Sequence, residues 1–401
     1  MRNIPGKCIA AAVFTAGLAL GTGAQAQDSY EWPEYFTVVT PIVGTANHSL
    51  GVAWTSEFSA QTESRARVLP APNGYSRALW LVTGEGDISM LQASDYFDHM
   101  DGIEGYSVEE GGPADTRVAV MNMVTPWSYL VRGDSDIQSF SDIGPDTRVA
   151  LATSSSFLMS GIDALLAYNG MTRDDVQIVE VGNYGANTKI ISEGRADVAF
   201  TSPLSGTSYE AEANPNGIRW LPLPAMEYDP EAYQRYRDIM TGYVPGETVS
   251  GVESALGLNM DHAFQANHVR ADEDEEFVYH LAKWLDEHYE DFKEDFTHAP
   301  MMSVDSMVAF LKAGHLQPLH EGTIRYLEEK SLWTDTYQTR QDALVKLAQD
   351  RAALWAEAVE TGKAEGLQVS PESEDWATFW SDYKAEHGID KSFGELVMAL
   401  P

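Results

Sequence analysis

One short pattern occurs twice in this chain and constrains its fold more than any other feature. Val82-Thr83-Gly84-Glu85-Gly86-Asp87-Ile88 is answered by Ser192-Glu193-Gly194-Arg195-Ala196-Asp197-Val198. In each copy a glycine ends a helix, and an aspartate shortly after it opens a buried apolar strand. The flanking residues read as alternating strands and helices. A β-branched run at 36–40 is followed by a polar loop at 44–48, then by a helix to about residue 60. A strand at 67–71, a helix at 75–83 and a strand at 87–91 complete the first set. The second set has strands at 148–152, 176–181 and 197–201, with helices at 160–168 and 184–193. Such alternation requires parallel strands with right-handed crossovers. Two copies about one small domain apart imply two similar α/β lobes. The loops at the carboxyl ends of both sheets then converge on a cleft, where open α/β sheets bind ligands.

Composition removes several functional classes. Of 401 residues, 61 are acidic and 26 basic, for a net charge of −35. Phosphate backbones are held by clustered Lys and Arg, and no such cluster is present, so nucleic acid is excluded as a partner. The charge also disfavours anionic lipid and suits solubility in high salt. Residues 1–26 read as a cleavable export signal. Arg2 and Lys7 precede an apolar stretch at about 9–20, and Ala24-Gln25-Ala26 ends it. The apolar stretch is too short to span a bilayer. Cys8 leaves with the signal, so the exported, periplasmic product has no thiolate chemistry and no disulfide.

Three further segments, together with the two glycine–aspartate corners, resemble one known family. They are Gly111-Gly112-Pro113-Ala114, the stretch from Tyr129 to Ile137 with its Asp134-Ser135-Asp136-Ile137 turn, the two glycine–aspartate corners, and Pro318-Leu319-His320-Glu321-Gly322-Thr323-Ile324-Arg325-Tyr326. Over about residues 36–334 the chain is similar to the solute-binding receptors of TRAP transporters, of the TAXI type. The resemblance implies an α/β, two-lobed periplasmic binding protein (type II, flytrap-like). It would close on a small solute, such as a carboxylate or an amino acid, and deliver it to TRAP permease membrane subunits. On that reading lobe 1 holds 27–125 plus 246–334, lobe 2 holds 126–245, and 335–401 form a helical C-terminal extension. A helix at 274–292 should pack an apolar face on lobe 1. The chain departs from the family at its first loop, where Asn47-His48 stand in place of aromatics, and at Glu247-Thr248-Val249-Ser250-Gly251, which lacks a tyrosine. The ligand's identity therefore does not follow from the resemblance.

Candidate ligand groups come from the loops between strands and helices. Thr45, Asn47 and His48 begin a helix, where free N–H groups and the dipole favour an anion; helix capping explains the first two equally well. Ser154, Ser155 and Ser156 occupy the corresponding loop of lobe 2. Asn73, Gly74 and Tyr75 begin the second helix, and Gln92 ends the third strand at the cleft edge. Trp127 suits stacking on a planar ligand as well as a core or hinge role. Asn183 and Tyr184 are loop residues with the same polarity. A buried carboxylate usually takes an arginine; the sequence singles out none, although Arg132 is near in the chain.

Catalytic patterns are missing. No G-x-S-x-G, H-E-x-x-H or P-loop sequence occurs, and Gly84-Glu85-Gly86 is half a dinucleotide fingerprint placed after a helix. His262 and His268, or His315 and His320, have no metal-ligand spacing, so neither a metal nor a cofactor is expected. A periplasmic hydrolase is the alternative function. Beyond residue 334, Leu344, Leu347, Leu354, Trp355 and Val359 mark one amphipathic helix. Trp376, Phe379, Trp380 and Tyr383 mark another; packing on the protein's own lobe is the expected use of both stripes, with self-association or permease docking as the alternative.

Overall fold

The computed structural model describes residues 30–400 apart from Ser154. The export signal read at 1–26 lies outside them. The first α/β run is β1 (Tyr35–Thr40), α1 (Ala46–Gln61), β2 (Arg65–Pro70), α2 (Gly74–Val82), β3 (Ile88–Gln92) and α3 (Ala93–Asp101). The long strand β4 (Thr116–Arg132) leads to the second run. That run is β5 (Arg148–Ala152), α4 (Ser156–Tyr168), β6 (Gln177–Val181), α5 (Tyr184–Ser192), β7 (Ala199–Thr201) and α6 (Gly206–Glu212). Then come β8 (Ile218–Leu221), α7 (Pro230–Ile239), β9 (Tyr243–Glu247) and β10 (Asn259–Arg270). The remainder is helical: α8 (Glu275–Glu287), α9 (Tyr289–Phe292), α10 (Val304–Lys312), α11 (Glu321–Glu329), α12 (Asp335–Ala364), α13 (Glu374–Glu386) and α14 (Phe393–Met398).

Among the described residues eight strands join one sheet, ordered β2-β1-β3-β10-β4-β7, with β8 on β4 and β9 on β10. β1 is parallel to β2 and β3, whereas β10 runs antiparallel to β3 and β4. β4 pairs with β10 as far as Trp127; from Ser128 it pairs with β7 and then β8. The parallel pair β5–β6 is tied to this second half by a bridge between Val149 and Val198. The fold is therefore mixed α/β, as expected. The stretch read from Tyr129 begins inside the longer strand β4, and Pro126 lies within that strand beside the change of partner. The helix read at 274–292 is divided at His288.

The repeated corner now has a physical meaning. Gly84 and Gly194 have φ of 79° and 68°, a left-handed conformation that a side chain would strain. Asp87 then accepts the N–H of Thr37 at 2.7 Å, and Asp197 accepts that of Arg148 at 2.8 Å. In both halves the carboxylate ties the third strand of the run to the beginning of the first. Arg148 adds an ion pair to Asp197, holding that carboxyl below the usual range despite its partial burial.

The C-terminal helices pack on the protein itself. Trp355 of α12 lies against Gly112, where a Cβ would come within 2.2 Å of the indole. Trp380 donates to the Asp101 carbonyl at 2.8 Å, and Trp376 to the Ser107 hydroxyl at 2.9 Å. Buried Arg351 pairs with Asp101 at 2.5 Å, and the same carboxylate accepts the Phe393 N–H. Residues 335–400 thus grip the end of α3. Among the described residues no helix is long and apolar enough to cross a membrane.

Candidate functional site

At the carboxyl ends of β1, β2, β5, β6 and β7 the chain turns into a helix through a short connection. Four of these helices begin with a capping side chain. Thr45 accepts from the His48 N–H at 3.2 Å, Asn73 from Ser76 at 2.9 Å, Asn183 from Ala186 at 3.0 Å and Ser205 from Ser208 at 3.3 Å. The fifth, α4, starts after Ser155 without a side-chain cap. These loops surround a cavity of about 130 Å³, room for about four waters. Thr45, Asn47, Asn73, Gly74, Gln92 and Trp127 lie on its wall, as do Ser155, Asn183 and Tyr184. Capping and cavity lining therefore coincide at Thr45, Asn73, Asn183 and Ser205.

The floor is a chain of amides. Asn122 donates to Asn47 at 2.5 Å, Asn47 donates to Gln265, and Gln265 donates to the Thr125 hydroxyl at 2.9 Å. Asn47 is buried here and is no cap. The hydroxyl hydrogen of Thr125 is left to donate toward a ligand.

Arg77 is the charged residue of the wall. Among the described residues it is the one cation there, and no carboxylate lines the cavity. It is 8% exposed. Its Nε donates to the Met90 carbonyl at 2.8 Å, and its Nη2 to Asp95 Oδ2 at 2.8 Å. The Tyr106 hydroxyl donates to the other oxygen of Asp95 at 3.0 Å. Burial pushes the Asp95 carboxyl upward, while Arg77 and Tyr106 oppose this by stabilising its ionised form. Nη1 of Arg77 has no partner among the described residues. A Cβ on Gly74 would sit 2.7 Å from both Asp95 and the Tyr106 hydroxyl, so glycine is required where α2 passes this support.

Some predicted site residues lie elsewhere. His48 turns away from the cavity and its Nδ1 meets the Thr40 hydroxyl at 2.9 Å. Tyr75 packs edge-on against Tyr106 at 4.7 Å, its hydroxyl pushed up to about 12 chiefly by burial. The Ser156 hydroxyl donates to Asp98 at 2.6 Å. These three point off the wall because their side chains are taken up by Thr40 of β1, by the Tyr106 ring and by Asp98 of α3. Ser154 lies outside the described residues. Arg132 pairs with Asp134 at a half-exposed position and does not reach the cavity. Sequence reasoning missed Arg77, Thr125, Phe157, Ser202, Ser205 and Gln265. A signal existed for Arg77: it stands one turn beyond the Asn73 cap, on the cap's own side of α2. Gln265 had none, because β10 arrives from far along the chain.

A family model for the NMT1-like family matches residues 49–331. The chain belongs to the NMT1-like family. Solved structures similar to this NMT1-like chain include MatC of Rhodopseudomonas palustris with bound malate: 14% identity, covering 82% of this chain and 100% of that one, TM-score 0.45. An R. palustris protein with adipate is 13% identical, covering 71% and 95%, with a TM-score of 0.47. The periplasmic aliphatic sulphonate binding protein SsuA of Escherichia coli is 15% identical, covering 81% and 88%, with a TM-score of 0.40. No curated protein matches the chain.

Proposed function

We propose that this protein is an extracytoplasmic solute-binding protein that captures a small organic acid or amino acid and delivers it to TRAP permease membrane subunits, as the TAXI-type receptors do. Lobe 1 (27–125 plus 246–334) and lobe 2 (126–245) close on the solute, and 335–401 brace lobe 1. The protein is exported by its signal and works in the periplasm. The observation that carries this reading is the cavity: loops from both halves of the sheet line it, and among the described residues its single charged wall residue is a buried arginine. An arginine held by a buried carboxylate, with one terminal nitrogen unpartnered, is suited to a ligand carboxylate. The N-termini of α1, α2, α4 and α5 add partial positive charge. The partner change of β4 beside Trp127 supports a hinge there.

A thermal-shift screen of organic acids, amino acids and sulfonates tests the reading. At a hundredfold excess over its Kd a true ligand adds about 2.7 kcal/mol of stability, and small-angle scattering should show the molecule contracting. A screen without a single stabilising compound would count against solute binding altogether.

A further inference from the structure

The two walls of the cavity differ in kind. The first carries Arg77 and the amide chain ending at Thr125. The second carries Phe157, Leu158, Leu204, Trp127 and Tyr184, with polar groups that are already engaged. The Tyr184 hydroxyl donates to Thr201 at 3.2 Å and accepts the Ser202 N–H at 3.3 Å. Ser205 donates to the Ser202 carbonyl at 3.0 Å, and Ser202 accepts the Leu204 N–H at 3.2 Å. Asn183 Oδ1 caps α5. What remains for a ligand there is the hydroxyl hydrogens of Ser155 and Ser202 and the Asn183 amide hydrogens, all uncharged. The aromatic groups are fixed: Trp127 stacks on Phe200 at 5.4 Å and meets Phe157 edge-on at 4.9 Å.

We infer that the preferred solute is a monocarboxylate whose remainder is apolar or aromatic. This rests on the solute-binding reading above and narrows it. The carboxylate accepts from Arg77 Nη1 and the Thr125 hydroxyl, and the body lies against Trp127, Phe157 and Tyr184. A second carboxylate would lose its water at the far wall and meet only uncharged donors and aromatic faces. An amino acid's ammonium would find no carboxylate among the described residues of the wall.

Calorimetric titration of the protein with phenylacetate, isovalerate, succinate and phenylacetamide tests the inference. Phenylacetate and isovalerate should each bind at least about tenfold tighter than succinate, which lacks a cation for its second charge. Phenylacetate should exceed the neutral phenylacetamide by a similar factor, and Arg77→Gln should erase that second difference. If that variant does not fold, the comparison in the parent protein still decides. Succinate binding as tightly as the monocarboxylates overturns the inference, and so does equal binding of phenylacetamide. So does failure of both monocarboxylates at millimolar concentration. Should another compound of the thermal-shift screen bind in that case, solute binding survives and only its narrowing falls.

Discussion

Three buried histidines and one half-buried aspartate set how this molecule responds to acid. Burial holds His99 at about 4 and His268 and His315 at about 3, all well below the ordinary 6.5. The unfolded chain takes up their protons near pH 6.5, whereas the folded chain refuses them. Stability from these groups is therefore complete above about pH 6.5 and is lost as pH falls toward 4, by up to about 1.4 kcal/mol per unit for each imidazole. Asp98 acts in the opposite sense. Burial, with Asp95, Asp101 and Glu104 near, raises it to about 7, so the folded state keeps a proton that the unfolded state loses near pH 4. In urea titrations from pH 4 to 8, the parent should weaken steeply with acid. The Asp98→Asn variant should match the parent near pH 4 and become the more stable of the two as pH rises through 7. Equal stability of the two at pH 8 would contradict this assignment. None of it was legible from the sequence, because burial of a histidine is decided by strands and helices that meet only in the folded chain.

At the scale of elements, glycines were read correctly where they stop helices and incompletely where they admit a neighbour. Gly84 and Gly194 declare themselves by the aspartate that follows. Gly112 gives no local sign that Trp355 will lie on it, nor Gly322 that the backbone of α8 will pass 2.5 Å from its Cβ position. The aromatic stripe of α12 and α13 was visible as periodicity; its target, the end of α3, was not. Trp355→Ala removes the contact on Gly112 and the edge-on contacts with Trp376 and Trp380 at 5.3 and 5.1 Å. It should cost about 3–5 kcal/mol, measured by urea unfolding. A loss below about 1 kcal/mol would mean that the C-terminal helices add little to the fold. The cavity was partly legible for the same reason. Helix starts announce themselves through Thr, Asn and Ser, so the first wall residues were found, while Thr125 and Gln265 depend on which strands become neighbours.

Taken whole, the molecule carries a net charge of −35, and its acidic surface repels itself over the screening distance of the solvent. Raising potassium chloride from about 0.01 M to 1 M shortens that distance from about 30 Å to 3 Å, so the thermal midpoint should climb across the series. A midpoint that stays level or falls would show that local ion pairs outweigh the long-range repulsion. The sheet order has an equally global consequence, in time instead of energy. β3 is flanked by β1 and β10, and β10 lies about 170 residues further along the chain. During synthesis the first three strands can pair, yet the open edge of β3 must wait for residues 259–270 to emerge before it is covered. Contacts so distant in sequence form slowly. For much of its elongation the nascent chain therefore exposes a strand edge that invites wrong partners. A chaperone that shields that edge would protect the chain until β10 arrives.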